Sequence, residues 1–163
     1  MPPFRPCAWT ALLVLVTVAP LPLRAQGREA TSFGISAYAG LGPVFDNGSL
    51  VSWTGNLLVE ADATHGPWRV ALHASVRGIG AACADACDLS GDGVGLGVAR
   101  LVGPVGVGAG MGALHQGGRW YAQPHAVLTA GRGTLRAQLR LELPQGAFGV
   151  SAPVLVGGRV PVG

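Results

Sequence analysis

Residues 119–143 read Arg-Trp-Tyr-Ala-Gln-Pro-His-Ala-Val-Leu-Thr-Ala-Gly-Arg-Gly-Thr-Leu-Arg-Ala-Gln-Leu-Arg-Leu-Glu-Leu. In the second arm Leu135, Ala137, Leu139, Leu141 and Leu143 fall on one side. Thr134, Arg136, Gln138, Arg140 and Glu142 fall on the other. A period of two is that of a β-strand with one apolar and one polar face. The first arm alternates in the same way, with Trp120, Ala122, Pro124, Ala126 and Leu128 against Arg119, Tyr121, Gln123 and His125. Gly131-Arg132-Gly133 joins the arms into a hairpin. The fold turns on which face meets the core.

Composition favours an apolar face turned outward. Only 12% of the 163 residues are charged, and 27 are glycine. A soluble domain carries about 25% charged residues. Beyond the N-terminus no apolar run approaches the roughly 20 residues of a membrane helix. Apolar residues spread over alternating strands, with little charge, suit a transmembrane β-barrel. The net charge is +3, and its arginines are dispersed among strands, so the chain reads as no nucleic-acid binder.

Residues 1–25 read as a cleaved secretory signal peptide. Arg5 supplies the positive start, Trp9 to Ala19 the short apolar core, and Ala25 the small residue at the cut. Cys7 precedes the apolar core and leaves with the leader. Residues 26–163 form the second unit, an all-β, eight-stranded antiparallel meander. The expected strands are 31–41, 50–61, 68–79, 93–102, 105–114, the two arms of the opening hairpin, and 148–160. Between them lie a loop at 42–49 with Asp46-Asn47-Gly48, a turn at 62–67, a longer loop at 80–92 and a loop at 115–118. Gly103-Pro104 and Gly131-Arg132-Gly133 are tight, so connections at one end are mostly longer than at the other.

Glu60, Arg69, His73, Arg77, Arg119, Gln123, His125, Arg136, Gln138, Arg140, Glu142 and Arg159 share the polar parity. In a membrane barrel they make an interior network of arginine with glutamate. The opposing faces of strands four and five are nearly all glycine, from Gly95 and Gly97 to Gly110 and Gly112, and leave room for long arginines. Trp53, Trp68 and Trp120 fall on apolar faces near strand ends, where interfacial aromatic girdles sit. The alternative is a secreted lipocalin-like barrel, its polar face in water and its apolar face around a small apolar ligand.

The signal peptide, eight alternating strands and asymmetric loops resemble the small eight-stranded outer-membrane barrels of the outer membrane protein A and X type. The resemblance runs from about Thr31 to the end and carries no motif that transfers a functional residue. It implies a monomer in the bacterial outer membrane, surrounded by outer-membrane lipid and lipopolysaccharide. Insertion by the outer-membrane assembly machinery, no wide pore and no cofactor are implied as well. The chain departs from the pattern in ending Val160-Pro161-Val162-Gly163, without a terminal aromatic residue, and in placing Pro124 and Pro153 within strands. Arg100 carries the lipid-facing parity of strand four.

Three further constellations bear chemistry. Cys83 and Cys87, five residues end to end in a loop, suit a local disulfide in an oxidising envelope. They lack a neighbouring His for zinc. Asp85, Asp88 and Asp92 in the same loop match no calcium-loop spacing and read as solvated turn residues. His73 and Ser75 share one strand face, with Glu142 or Glu60 to orient the imidazole. This is a two-residue likeness to outer-membrane lipid A deacylases, and it makes a lipid hydrolase the third reading. The expected role is structural, or binding through outer loops, without enzymatic activity.

Overall fold

The computed structural model describes residues 30–46, 49–79, 90–143 and 150–162. The strands are β1 (Ser32–Asp46), β2 (Ser49–His65), β3 (Trp68–Ile79), β4 (Gly91–Val102), β5 (Val105–Gln116), β6 (Arg119–Arg132), β7 (Leu135–Glu142), β8 (Val150–Ser151) and β9 (Val154–Val162). β8 and β9 are two parts of one final strand, broken at Ala152-Pro153. Each strand pairs antiparallel with its sequence neighbours. β9 returns to β1, from Phe33↔Val162 to Leu41↔Val154. The result is a closed up-and-down barrel of eight strands. Closure leaves no unpaired edge, so the backbone of every wall strand is satisfied within the wall.

Gly66-Pro67, Gly103-Pro104 and Gly133-Thr134 close one end of the barrel, which also carries the start of β1 and the end of β9. The other end carries Asp46 and Ser49, the end of β3 and the start of β4, the Gly117-Gly118 turn, the end of β7 and the start of β8. Gly117 and Gly118 both have positive φ, 56° and 74°. That matches the two-residue hairpin turn whose twist suits its flanking strands, and a side chain there would be strained.

The strands run further than alternation alone suggested. The expected loop at 42–49 is strand as far as Asp46, with a register shift between Val44 and Phe45. The expected turn at 62–67 shrinks to Gly66-Pro67, because β2 continues to His65. The expected loop at 115–118 shrinks to its two glycines, with His115 paired to Trp120. In each case polar residues marked a turn in the sequence, yet kept the inward or outward parity of a strand.

Pro124 is paired with Met111 within the β5–β6 ladder but lies at the end of the β6–β7 ladder, and Pro153 lies in the break of the final strand. The Pro124 carbonyl accepts from Leu143 N at 2.9 Å, just beyond the last β6–β7 pair, His125↔Glu142. The Pro153 carbonyl accepts from Arg140 N at 3.1 Å inside the break of the final strand. A missing N–H at such a position removes no regular ladder bond.

Parity decides inside from outside. Phe33, Ile35, Leu57, Val59, Val70, Leu72, Val94, Leu96, Leu139, Val154 and Val156 are all exposed on the outer wall. Ser36, Thr54, Glu60, Asp62, Arg69, His73, Arg77, Gln123, His125, Gln138, Arg140, Glu142 and Ser151 are buried in the lumen. A small apolar cluster, Tyr38, Leu58 and Leu155, is buried with them. An ordinary soluble protein has the opposite distribution. A soluble barrel with an apolar ligand cavity is therefore not what this chain builds.

Candidate functional site: the ionic lumen

Eight strands close around a space just wide enough for side chains to fill. Here the filling is ionic. At the short-turn end Arg69 on β3 reaches its strand neighbour β2, with Nη2 2.8 Å from Glu60 Oε2 and 3.1 Å from Asp62 Oδ1. Arg159 on β9 reaches the same carboxylate across β1, with Nη2 2.8 Å from Asp62 Oδ2 and Nε 3.1 Å from Asp62 Oδ1. Gln138 Nε2 on β7 donates to Glu60 Oε1 at 3.2 Å.

At mid-height Arg140 on β7 crosses the lumen to β3 and donates through Nη2 to His73 Nε2 at 2.5 Å. A guanidinium has no acceptor, so Nε2 accepts and the imidazole is the neutral form with its proton on Nδ1. The His125 ring stands edge-on to His73, with centroids 4.9 Å apart and planes at 85°. Arg140 Nε lies 3.0 Å from Glu142 Oε1. Ser151 Oγ donates to Glu142 Oε2 at 2.7 Å. Above them Arg77 Nη2 donates to Gln116 Oε1 at 3.0 Å, while its Nη1 lies 3.9 Å from Glu142 Oε2.

Glycines make this filling possible, for a different side chain than the expected arginines. A Cβ on Gly95 would stand 2.6 Å from the His73 ring, and one on Gly110 would run into the His125 ring. The bare faces of β4 and β5 are thus floors for two imidazoles. Among the guanidiniums, Arg159 lies over Gly34 on β1.

A cavity of about 20 Å³ remains, lined by Glu60, Arg69, His73, His125, Gln138 and Arg140 among others. That is room for about one water molecule.

Two residues of the expected interior set stand apart from it. Arg119 is exposed, at the very start of β6. Arg136 sits beside the β6–β7 turn, and its Nη1 donates to the carbonyls of Gly133 and Leu135 at 2.9 and 3.0 Å. Both carry the inward parity but lie at strand ends, where parity no longer implies burial. Arg100, whose parity is outward, is buried, in register with Trp68.

Asp62 is the member that alternation missed. Its side chain is fully buried between two arginines. The available signal was its parity with Glu60, overridden by reading 62–67 as turn. His115 is a second such case. Its Nδ1 lies 3.2 Å from Asp92 Oδ1 and its ring 5.0 Å from Trp120, a row across β4, β5 and β6 on the outer wall at the long-connection end. Trp53 and Trp120 lie on the outer face at that end and Trp68 at the opposite end, all of them exposed. His73 and Ser75 do share an inward face, but His73 Nε2 is engaged by Arg140, as a base serving Ser75 could not be. Cys83, Cys87, Asp85, Asp88 and the leader 1–25 lie outside the described residues.

An apolar outer wall around a charged, filled lumen defines a class: the small eight-stranded outer-membrane-type β-barrel. No protein-family model matches the chain, and no curated protein matches it in sequence. Solved structures match it in fold. The crystal structure of Neisserial surface protein A superposes with a TM-score of 0.52 at 14% identity, covering 80% of this chain and 97% of that one. The outer membrane protein Ail of Yersinia pestis, in a phospholipid bilayer nanodisc, gives 0.50 at 12%, covering 80% and 100%. The de novo designed TMB2.3 gives 0.53 at 13%, covering 79% and 95%. At these identities the likeness is one of fold.

Proposed function

We propose that this protein is an integral barrel of the bacterial outer membrane with no pore function, whose activity lies in what its long-connection end presents at the cell surface. The observation that carries this is the inversion of the barrel, apolar outside and ionic inside. Such a wall is unfavourable in water and favourable against acyl chains. The filled lumen supports a non-conducting role. Trp53, Trp68 and Trp120 serve as interfacial anchors at the two ends of the apolar band. Residues 80–92 form the leading surface element, with Cys83 and Cys87 joined in a local disulfide. The barrel acts as a monomer, with lipopolysaccharide and phospholipid as its immediate surroundings.

The test is fractionation combined with surface labelling. The reading predicts a protein that stays in the membrane through a urea wash and migrates differently before and after boiling. An epitope inserted between residues 83 and 87 would be reached by antibody on intact cells. Recovery in the soluble fraction, or an epitope reached only after lysis, would overturn it.

A further inference from the structure

Two groups of the lumen filling share one cavity. Toward the short-turn end, Glu60 accepts from Arg69 at 2.8 Å and from Gln138 at 3.2 Å. At mid-height, Arg140 bonds His73 and stands 3.0 Å from Glu142. These bonds run within each group, and none of them runs between the two. The cavity of about 20 Å³ has members of both groups on its wall, Glu60, Arg69 and Gln138 from the first and His73 and Arg140 from the second.

The Gln138 amide sets the polarity of this space. A carboxylate only accepts, so the amide nitrogen is the end that meets Glu60. That leaves Oε1 as an acceptor. Gln138 is 3% exposed, and its Oε1 accepts from no donor among the described residues. A buried carbonyl oxygen left in that state is costly.

Cavities that stay dry are lined by apolar side chains, whereas this one is lined by ions, an amide and imidazoles. Its volume exceeds the roughly 10–15 Å³ that one water needs and is far below what a polyatomic ligand needs. Guanidinium donors and a carboxylate acceptor lie on the same wall. That mixture suits a neutral occupant that both donates and accepts, and favours neither sign of ion.

We infer that this cavity is the binding site of one ordered water molecule. The water donates to Gln138 Oε1. It accepts from the Arg140 guanidinium, which has N–H groups beyond those directed at His73 and Glu142. It thereby joins the ion network at the short-turn end to the cross-lumen contact at mid-height. The inference rests on the closed lumen alone, and neither on the surroundings of the barrel nor on its long-connection end.

The probe is water itself. Oxygen-17 relaxation dispersion of the mature barrel, refolded in detergent, counts the waters that stay bound for longer than the barrel takes to tumble. Gln138→Leu, which removes the acceptor, should lower the dispersion amplitude by one water per barrel. Ala99→Val, which adds methyl groups at a buried position on the cavity wall, should do the same. Arg132→Gln, on an exposed side chain, should leave the amplitude unchanged. Crystals of the unsubstituted barrel should show a solvent peak within hydrogen-bond distance of Gln138 Oε1. An amplitude equal to that of the unsubstituted barrel in either folded lumen variant, or crystals that resolve waters elsewhere but show none at Gln138, would overturn the proposal. A variant that fails to give a heat-shifted band is set aside, and the other variant and the crystals decide. Recovery of the chain in the soluble fraction of cells would overturn the membrane reading and leave this one untouched.

Discussion

Arg140 on β7 and His73 on β3 meet across the full width of the barrel, guanidinium to imidazole, 2.5 Å apart. The two strands are on opposite walls and share no ladder. Their contact, with Glu142 behind it, ties the walls together at mid-height. Arg140→Met should therefore leave buried Glu142 with the Ser151 hydroxyl and only the more distant Arg77 as a charged partner, at a cost of about 3–5 kcal/mol. Urea unfolding of the refolded barrel, followed by tryptophan fluorescence, measures it. The double variant with Glu142→Gln should recover part of the loss, since the orphaned charge is then gone.

Asp62 joins two arginines, so its neutralisation strands both. Asp62→Asn should cost about 3–5 kcal/mol in the same assay. Arg132→Gln, on an exposed side chain, should stay within about 0.5 kcal/mol. Equal effects at the two positions would mean that the ion network adds little to stability.

The glycine floor gives a graded test. Gly110→Ala drives a Cβ into Leu96 O and the His125 ring. It should cost about 1–3 kcal/mol. Gly97→Ala meets His125 Nε2 only at 3.4 Å and should be tolerated much better. The ratio of the two urea midpoints reads out whether the imidazoles rest where the geometry places them.

On the outer wall, Leu72 is 62% exposed near the middle of β3. Leu72→Arg in a phospholipid bilayer should cost about 2–4 kcal/mol, the depth-dependent penalty of a charge facing lipid. Were the outer wall in water, the same change would be nearly neutral. Refolding yield into vesicles, compared with Leu72→Ala, distinguishes the two.

Much of this was legible in alternation. The hairpin at 119–143 shows its two faces in the sequence, and the low charge content points to the apolar one as the outside. Strand ends were less legible. Asp62 and His115 sit in runs rich in turn-forming residues, and only pairing with Trp68's strand and with Trp120 shows them as strand. Arg119 and Arg136 follow parity yet escape the lumen, because burial depends on height along the barrel axis, which a period-two pattern does not encode. The cross-lumen pairing of Arg140 with His73 was also beyond reach. It depends on which strands lie opposite one another at which register, set only when β9 closes on β1.

The three tryptophans of residues 26–163, Trp53, Trp68 and Trp120, all project outward. Fluorescence quenching by phospholipids brominated along the acyl chain therefore tests the inversion of the barrel directly. Strong quenching, deepest for bromines near the headgroup, is the predicted result for rings at the two edges of an apolar band. Fluorescence unaffected by brominated lipid, with the chain remaining in solution beside the vesicles, would contradict a lipid-facing outer wall.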